Sequence, residues 1–385
     1  MLEVNQFVFD GALNAGRPFR ALFAGGGTGD GTLLVAAQAK AMGLPGEVVH
    51  LDISSAALKI AQRRAERRQL QNIRFVQGSL LDLEQMALGS FDYIDCSGVL
   101  HHLSDPDAGL RALCGALAPG GGIGLMLYGE YGRTGLYHIQ HGLRLLTKEL
   151  TPTQAIARAR RFVAGLPPTA WANRNPQLAG DNANLDDTEF YDRYLHSQDR
   201  AYTVGQLYQM AWDCDLEVTG LVTPGRYDPR SYLPDEELSE HAATLPPGQA
   251  AELAELLDGD MAMHSFYLRP GSEGPQTPLG PEMPSAIPVL RHQDQIALAA
   301  KLPFGTALRR TYGGREVSFE MRENSAAIIA LIDGQRSLSE IHDTLRGEFP
   351  KLTGSAFMRD FAYLYDILHG HMFQLFLSRT PINSK

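Results

Sequence analysis

"RALFAGGGTGDGTLLVAAQAKAMG", residues 20–43, places four glycines within the five positions 25–29. Glycine inside a strand or helix costs roughly 0.5–1 kcal/mol relative to alanine. A cluster of them therefore marks a tight turn, or a backbone that another body must approach closely. The flanks narrow the choice. Arg20 to Ala24 reads as a short buried strand, and Thr32 to Met42 as a helix. Strand, glycine turn and helix in that order is the layout that cradles nucleotide-like ligands.

The surrounding sequence repeats the alternation. Strand signals fall at Phe19–Ala24, Glu47–Ile53, Ile73–Gly78, Phe91–Gly98 and Gly121–Gly129, each short, apolar and flanked by glycine or turn residues. Helical stretches separate them: Ser54–Gln69, opened by a serine N-cap, and Asp105–Leu117, opened by "DPD" and stopped by "APGGG". Repeated βα units predict an α/β, doubly wound, Rossmann-like and mostly parallel sheet. After Gly129 the pattern turns helical, with amphipathic stretches at 134–149 and 151–166, so 130–200 is expected to be a helical insertion. Strand-like segments at 216–223 and 264–270 would complete the sheet. The expected organisation is a domain over 1–270, a Pro/Gly linker over 271–288, and a small C-terminal helical, winged-helix-like domain over 289–385.

Composition bounds the function. The chain has 385 residues, 44% of them hydrophobic and 20% charged, and a formal net charge of −10. That balance argues against non-specific nucleic-acid binding. "RRAERR", 63–68, reads as the solvated face of a helix. Three cysteines without CxxC spacing indicate no disulfide framework, as in a reducing compartment. No stretch approaches the roughly 18 apolar residues of a membrane span, so a cytoplasmic protein with no membrane partner is expected. A homodimer is compatible with this composition.

Four motifs fall at the carboxyl ends of the strands, where open α/β sheets bind ligands. The first is "AGGGTGDG", with Gly25, Gly27 and Gly29 on alternate positions. The second is "VVHLDIS", with Asp52 placed to accept both hydroxyls of a ribose. "VQGSLLDL" carries Asp82, and "FDYIDCSGVLHHLSDP" closes the fourth strand. A dinucleotide oxidoreductase would want a G-x-G-x-x-G spacing that is not present. Together the four motifs resemble those of the class I S-adenosylmethionine-dependent methyltransferases, strongly over about 15–130 and loosely to about 270. The resemblance implies S-adenosyl-L-methionine as cofactor. By it, Ala24, Gly25, Gly27 and Gly29 would line the methionine and ribose portion, and Asp52 would hold the ribose with Ile53 beside it. Ser79, Leu80 and Asp82 would flank the adenine, and Ser97, Gly98 and Val99 would line the pocket floor. Many members carry an acid two positions before the first glycine. Here Phe23 stands there, and Asp30 is the one nearby substitute.

Methyl transfer needs an acceptor lone pair held in line with the methyl, and a base if the acceptor carries a proton. His101 and His102 follow the fourth strand, Tyr128 follows the fifth, and His196 lies in "YLHSQDRAYT" with Asp199, Arg200 and Tyr202. These are the candidate catalytic residues, with pocket-wall packing as their alternative role. His138 and His141 share a helix face but lack a third ligand, so no metal is expected. "HGH", 369–371, reads as surface. The C-terminal segment "IIALIDGQRSLSEI" weakly resembles small winged-helix domains that bind leader peptides. It reads as a packing or dimerisation module, or as a peptide-docking one. The expected function is methyl transfer to an N or O nucleophile of a small molecule or of a peptide or protein. The alternative is a non-catalytic binding module that keeps the fold.

Overall fold

A computed structural model describes residues 1–13, 16–175, 178, 184–271, 278–291 and 294–382. Seven strands form one sheet: β1 Ala21–Ala24, β2 Val48–Asp52, β3 Ile73–Gln77, β4 Phe91–Ser97, β5 Leu117–Tyr128, β6 Leu216–Leu221 and β7 Met263–Pro270. Their order is β3-β2-β1-β4-β5-β7-β6. The first five run parallel, while β7 is antiparallel to both β5 and β6.

Both faces of the central strands are covered. Side chains alternate along a strand, so Leu22 and Ala24 enter one core with Val49, Leu51, Ile94 and Leu125. Ala21 and Phe23 enter the other, with Phe19, Val35, Ala36 and Tyr93. Burying each large aliphatic side chain contributes about 1.5–3 kcal/mol, which is why β1 and β2 are apolar throughout. Helices Asp30–Ala41, Ser55–Arg67 and Pro106–Gly115 supply the layers. The caps form where the sequence places them: Ser54 Oγ accepts from Ala57 N at 3.2 Å, and Asp105 Oδ1 accepts from Ala108 N at 2.9 Å. "APGGG" does not act as the helix stop. The helix ends at Gly115 and β5 begins at Leu117, passing through Gly120 at φ +71° with a register shift opposite Phe91 and Tyr93.

The insertion follows β5. Helices Leu136–Thr147, Pro152–Ala164, Trp171–Arg174 and Asp187–Leu195 enclose a small core of their own around Leu136, Leu143, Ala159, Phe190 and Tyr194. The chain then returns through helix Val204–Trp212 to β6.

The C-terminal region is helical, with β8 Ile287–Leu290 paired antiparallel to β11 Leu375–Ser378 and a hairpin of β9 Ala307–Tyr312 and β10 Arg315–Glu320. Helices Leu338–Glu348 and Gly354–Tyr365 pack a core of Ile328, Ile341, Phe357 and Phe361. Ser337 and Glu340 form the expected capping box. Two expectations are corrected here. Of the stretch 271–288, residues 272–277 lie outside the described residues, and the rest is not a free linker. Leu279 and Met283 pack on the C-terminal core, Ala286 is buried, and Ile287 and Pro288 lie in β8. "HGH" is not surface: His369 and His371 are buried in a π-helical turn, Asp366–His371. His371 Nδ1 lies 3.1 Å from Tyr312 Oη. The C-terminal unit is also fastened to helix Leu2–Phe7. Gln6 Nε2 donates to Tyr365 Oη at 2.7 Å, Leu377 N donates to Gln6 Oε1 at 2.8 Å, and Arg291 pairs with Glu3. Among the described residues no helix is long and apolar enough to cross a membrane.

Candidate active site at the carboxyl end of the sheet

The glycine loop is built by backbone conformation. Gly25, Gly27 and Gly29 sit at φ +80°, +54° and +93°, which L side chains adopt only at a cost. A Cβ on Gly25 would lie 2.4 Å from Val99 Cγ2, and one on Gly29 would lie 2.9 Å from Ala61 Cβ. A Cβ on Gly27 would meet nothing within 4 Å. Two of the glycines therefore serve close packing, while the third faces open space.

Asp52, at the end of β2, is buried, with 9% of its surface exposed. Its Oδ2 accepts from Gly27 N at 2.7 Å and its Oδ1 from Ser54 N at 2.8 Å. A carboxylate offers about four lone-pair sites. Each oxygen therefore keeps one for a further donor, and the two together suit the vicinal hydroxyls of a ribose. Beside it Ile53 is 72% exposed, an apolar face that stacking against a flat ring would cover. Across from it Ser79 Oγ accepts from Leu81 N at 3.2 Å, which fixes the turn over Leu80–Asp82; Leu80 is buried and Asp82 exposed. At the end of β4, Ser97 is exposed, Gly98 takes φ +78° and Val99 packs on Gly25. Ala24 is buried at the end of β1. The expected cofactor residues thus converge on one edge of the sheet, and their free acceptors and apolar face fit an adenosine with a methionyl tail.

Two supports of this bed carry no motif. His50, buried in β2, lies under the loop, where a Cβ on Gly26 would come 2.4 Å from its ring; its Nδ1 lies 2.7 Å from Thr32 Oγ1. Burial holds its pKa below the usual imidazole range. Arg64, from "RRAERR", donates to Thr28 O at 2.9 Å and pairs with Asp30. Arg64 thus ties Asp30 to helix Ser55–Arg67. Phe23 itself is buried, 6.5 Å from the Tyr93 ring.

Beyond β4 and β5 lies an aromatic and polar cluster of side chains. The Tyr128 ring has His101 stacked at 3.9 Å and the Arg133 guanidinium at 3.6 Å. Two groups that close cannot share one face, so Tyr128 is held from both sides. Its hydroxyl has no protein hydrogen-bond partner among the described residues. His101 is 1% exposed, and burial, with the charges of His102, Arg133 and His196, pushes its pKa down to about 3. His101 backs the Tyr128 ring, the packing role that was its alternative. His102 Nδ1 lies 3.1 Å from Gln198 O, and the His102 ring is 4.0 Å from that of His196. Segment 199–202 runs along this edge: Arg200 N donates to His101 O at 3.1 Å and Tyr202 N to Tyr128 O at 2.8 Å. His138 and His141 are exposed elsewhere on their helix.

Unpaired polar atoms collect here. Both His101 nitrogens, Arg133 Nε, Tyr137 Oη, Arg193 Nη1, Asp199 Oδ1 and Tyr202 Oη are buried with no hydrogen-bond partner among the described residues. Buried polar groups are normally paired, so this concentration sets the cluster apart from the rest of the core. Arg133 and Tyr137 were not singled out by sequence, because nothing in the helical periodicity of the insertion separates them from packing residues. A separate cavity of about 730 Å³ is lined by Tyr131, Thr134, Trp171, Asp258 and Gly313. It lies away from the glycine loop, between the insertion and the β9–β10 turn.

Residues 23–123 match the methyltransferase domain family. The chain is 34% identical over 257 residues to an uncharacterised protein of Synechococcus sp., covering 66% of this chain and 60% of that one. It is 35% identical over 78 residues to a ubiquinone biosynthesis O-methyltransferase of Albidiferax ferrireducens, covering 20% of this chain and 31% of the relative. The chain thus spans less than two thirds of the length of these relatives. Its fold is similar to that of PKMT2 from Rickettsia typhi in complex with AdoHcy, with a TM-score of 0.65 at 17% identity over 99% of this chain and 76% of that one.

Proposed function

From the match of residues 23–123 to the methyltransferase domain family we propose that the chain is a class I S-adenosylmethionine-dependent methyltransferase and methylates an N or O nucleophile of a peptide or protein. When bound, S-adenosylmethionine supplies an electrophilic methyl on a sulfonium; the acceptor lone pair forms the new bond to carbon as the carbon–sulfur bond breaks. The chain's part is positioning. Asp52 holds the ribose against a loop whose Gly27 leaves room for it. Ile53, Leu80 and Asp82 border the adenine, and Ser97 to Val99 form the floor. Tyr128, wedged between His101 and Arg133, orients the acceptor through a hydroxyl that has no protein partner. A neutral amine attacks with its own lone pair and sheds its proton to solvent after transfer, whereas a hydroxyl acceptor must give up its proton as it attacks. His102 and His196 form the wall beside it.

The observation that carries the reading is the half-satisfied Asp52 carboxylate beside a glycine loop whose Gly27 faces open space, at the carboxyl end of the sheet. We favour the larger acceptor because the chain leaving β5 passes, at Tyr131 and Thr134, into the wall of the separate cavity of about 730 Å³, which offers a second surface for a long acceptor. The C-terminal unit, which we read as winged-helix-like, contributes Gly313 and Gly314 to that cavity. We place the work in the cytoplasm, consistent with three free cysteines. The alternative of a non-catalytic module draws on Phe23, which leaves the cofactor's amino group without the family's usual acid.

Methyl-labelled S-adenosylmethionine added with the protein to lysate of its source cells separates these readings. Label in precipitable protein, abolished by Asp52→Ala, is the expected result. Label only in small molecules overturns the macromolecular acceptor, and no label despite cofactor binding favours the module.

A further inference from the structure

His102, Asp192 and His196 each present a ligand-type atom, and these atoms all lie within 4.8 Å of one another. They come from two distant parts of the chain. His102 ends the 3₁₀ turn after β4. Asp192 sits in the last turn of helix Asp187–Leu195, and His196 is its C-cap, four residues on. The i, i+4 spacing puts Asp192 and His196 on one helix face, and the fold carries that face to His102.

We infer that His102, Asp192 and His196 form a binding site for one borderline divalent cation of the Zn²⁺ type, clasping the helical insertion to the sheet. The donor set selects the ion class. Imidazole and carboxylate without thiolate suit first-row transition ions rather than Mg²⁺ or Ca²⁺, which favour all-oxygen shells. The surroundings fix the tautomers as a metal requires. His102 Nδ1–H donates to Gln198 O at 3.1 Å, which leaves Nε2 of the neutral ring with its lone pair. A backbone carbonyl on the far nitrogen is the usual outer partner of a metal-binding histidine. At His196, Gln198 N donates to Nδ1 at 3.2 Å, so that nitrogen is unprotonated, and a metal bond would replace a long contact. One residue, Gln198, thus sets both rings.

The distances are close to what binding needs. Ligand atoms about 2.0–2.2 Å from a tetrahedral Zn²⁺ stand about 3.4 Å apart. Closing from the present spacing takes a side-chain adjustment of about an ångström, which an exposed Asp192 makes freely. Three protein ligands leave a fourth position for water or for a donor from the acceptor. The ion would lie beside Tyr128, whose ring is 5.8 Å from that of His102.

The test uses the full chain, stripped of metal, titrated with Zn²⁺ alone against a chromophoric chelator. Glu189→Gln, an exposed acid on the same helix outside the cluster, serves as control. One ion per chain is expected, with affinity reduced at least tenfold in Asp192→Asn and unchanged in Glu189→Gln. Co²⁺ in the same site should give visible ligand-field bands without a thiolate charge-transfer band, and His102→Gln and His196→Gln should each diminish them. No saturable binding, or equal affinity in Asp192→Asn, overturns the site. S-adenosylhomocysteine binding measured on the same samples reports separately on the cofactor bed, so failure of the metal site leaves the methyltransferase reading standing.

Discussion

Replacing Asp52 should dissociate cofactor binding from folding in a measurable way. In the structure each carboxylate oxygen already accepts one backbone N–H, at 2.7 and 2.8 Å, and keeps one lone pair for a ribose hydroxyl. Hydrogen bonds to a charged group are worth about 1.5–3 kcal/mol each. Losing two of them in Asp52→Ala removes roughly 3 kcal/mol or more, about a hundredfold in Kd. Asp52→Asn is the sharper variant. Its amide has one accepting oxygen, so its NH₂ must face either Gly27 N–H or Ser54 N–H, donor against donor. It should therefore bind no better than Asp52→Ala, although it is nearly isosteric. Calorimetric titration with S-adenosylhomocysteine reads the affinity, and circular dichroism checks the fold. Affinities of both variants within threefold of the parent would refute the reasoning, because the carboxylate would then not contact the ligand.

Gly25→Ala and Gly27→Ala should part company. The first drives a methyl into Val99 on top of its positive φ and should lower the melting temperature more, whereas the second has free space, bears only the cost of φ +54°, and should mainly lower S-adenosylhomocysteine affinity, since its methyl enters the bed. Equal melting losses would contradict this. Tyr128→Phe should keep cofactor affinity and lower the turnover of labelled substrate by about tenfold or more, and unchanged turnover would remove the hydroxyl from the reaction. Asp258, buried, would by burial alone titrate high; hydrogen bonds from Arg226 and Tyr232 and the charge of Arg226 outweigh that and hold it below the usual carboxylate range. A depressed folded pKa gives stability that is full above the unfolded value of about 3.9 and is lost as pH falls through the folded one. Asp258→Asn should therefore destabilise by about 2–3 kcal/mol at pH 7, below the usual 3–5 kcal/mol for breaking a buried pair because Arg226 is a third exposed. Thermal melts from pH 7 to 3 should show that difference shrinking; a constant difference would point to packing instead.

The sheet was legible because its information is local. "ALFA" and "VVHLD" are apolar without interruption, and strands buried on both faces read that way. The glycine loop and Asp52 were legible for the same reason, since their spacing along the chain is their spacing in the bed. What escaped was set by contacts between distant segments. His50 lies inside an apolar strand and gives no periodic sign that it props Gly26. "HGH" looked like surface because two histidines around a glycine carry no hydrophobic pattern; they are buried by Phe7, Phe319 and Tyr312. The pairing of Glu3 with Arg291 spans 288 positions, and no rule of spacing reaches that far. Arg200 is tied to His101 after β4 and Tyr202 to Tyr128 of β5 by backbone hydrogen bonds that any sequence could make, so only the fold shows that Asp192 and His196 meet His102.

A crystal structure of the full chain with S-adenosylhomocysteine tests the central claim most directly. Both ribose hydroxyls within hydrogen-bond distance of Asp52, the adenine against Ile53 and the sulfur directed toward Tyr128 is the predicted result. A ligand bound away from Gly27 and Asp52, or with its sulfur turned from the cluster of His101, Tyr128 and Tyr202, would contradict the account.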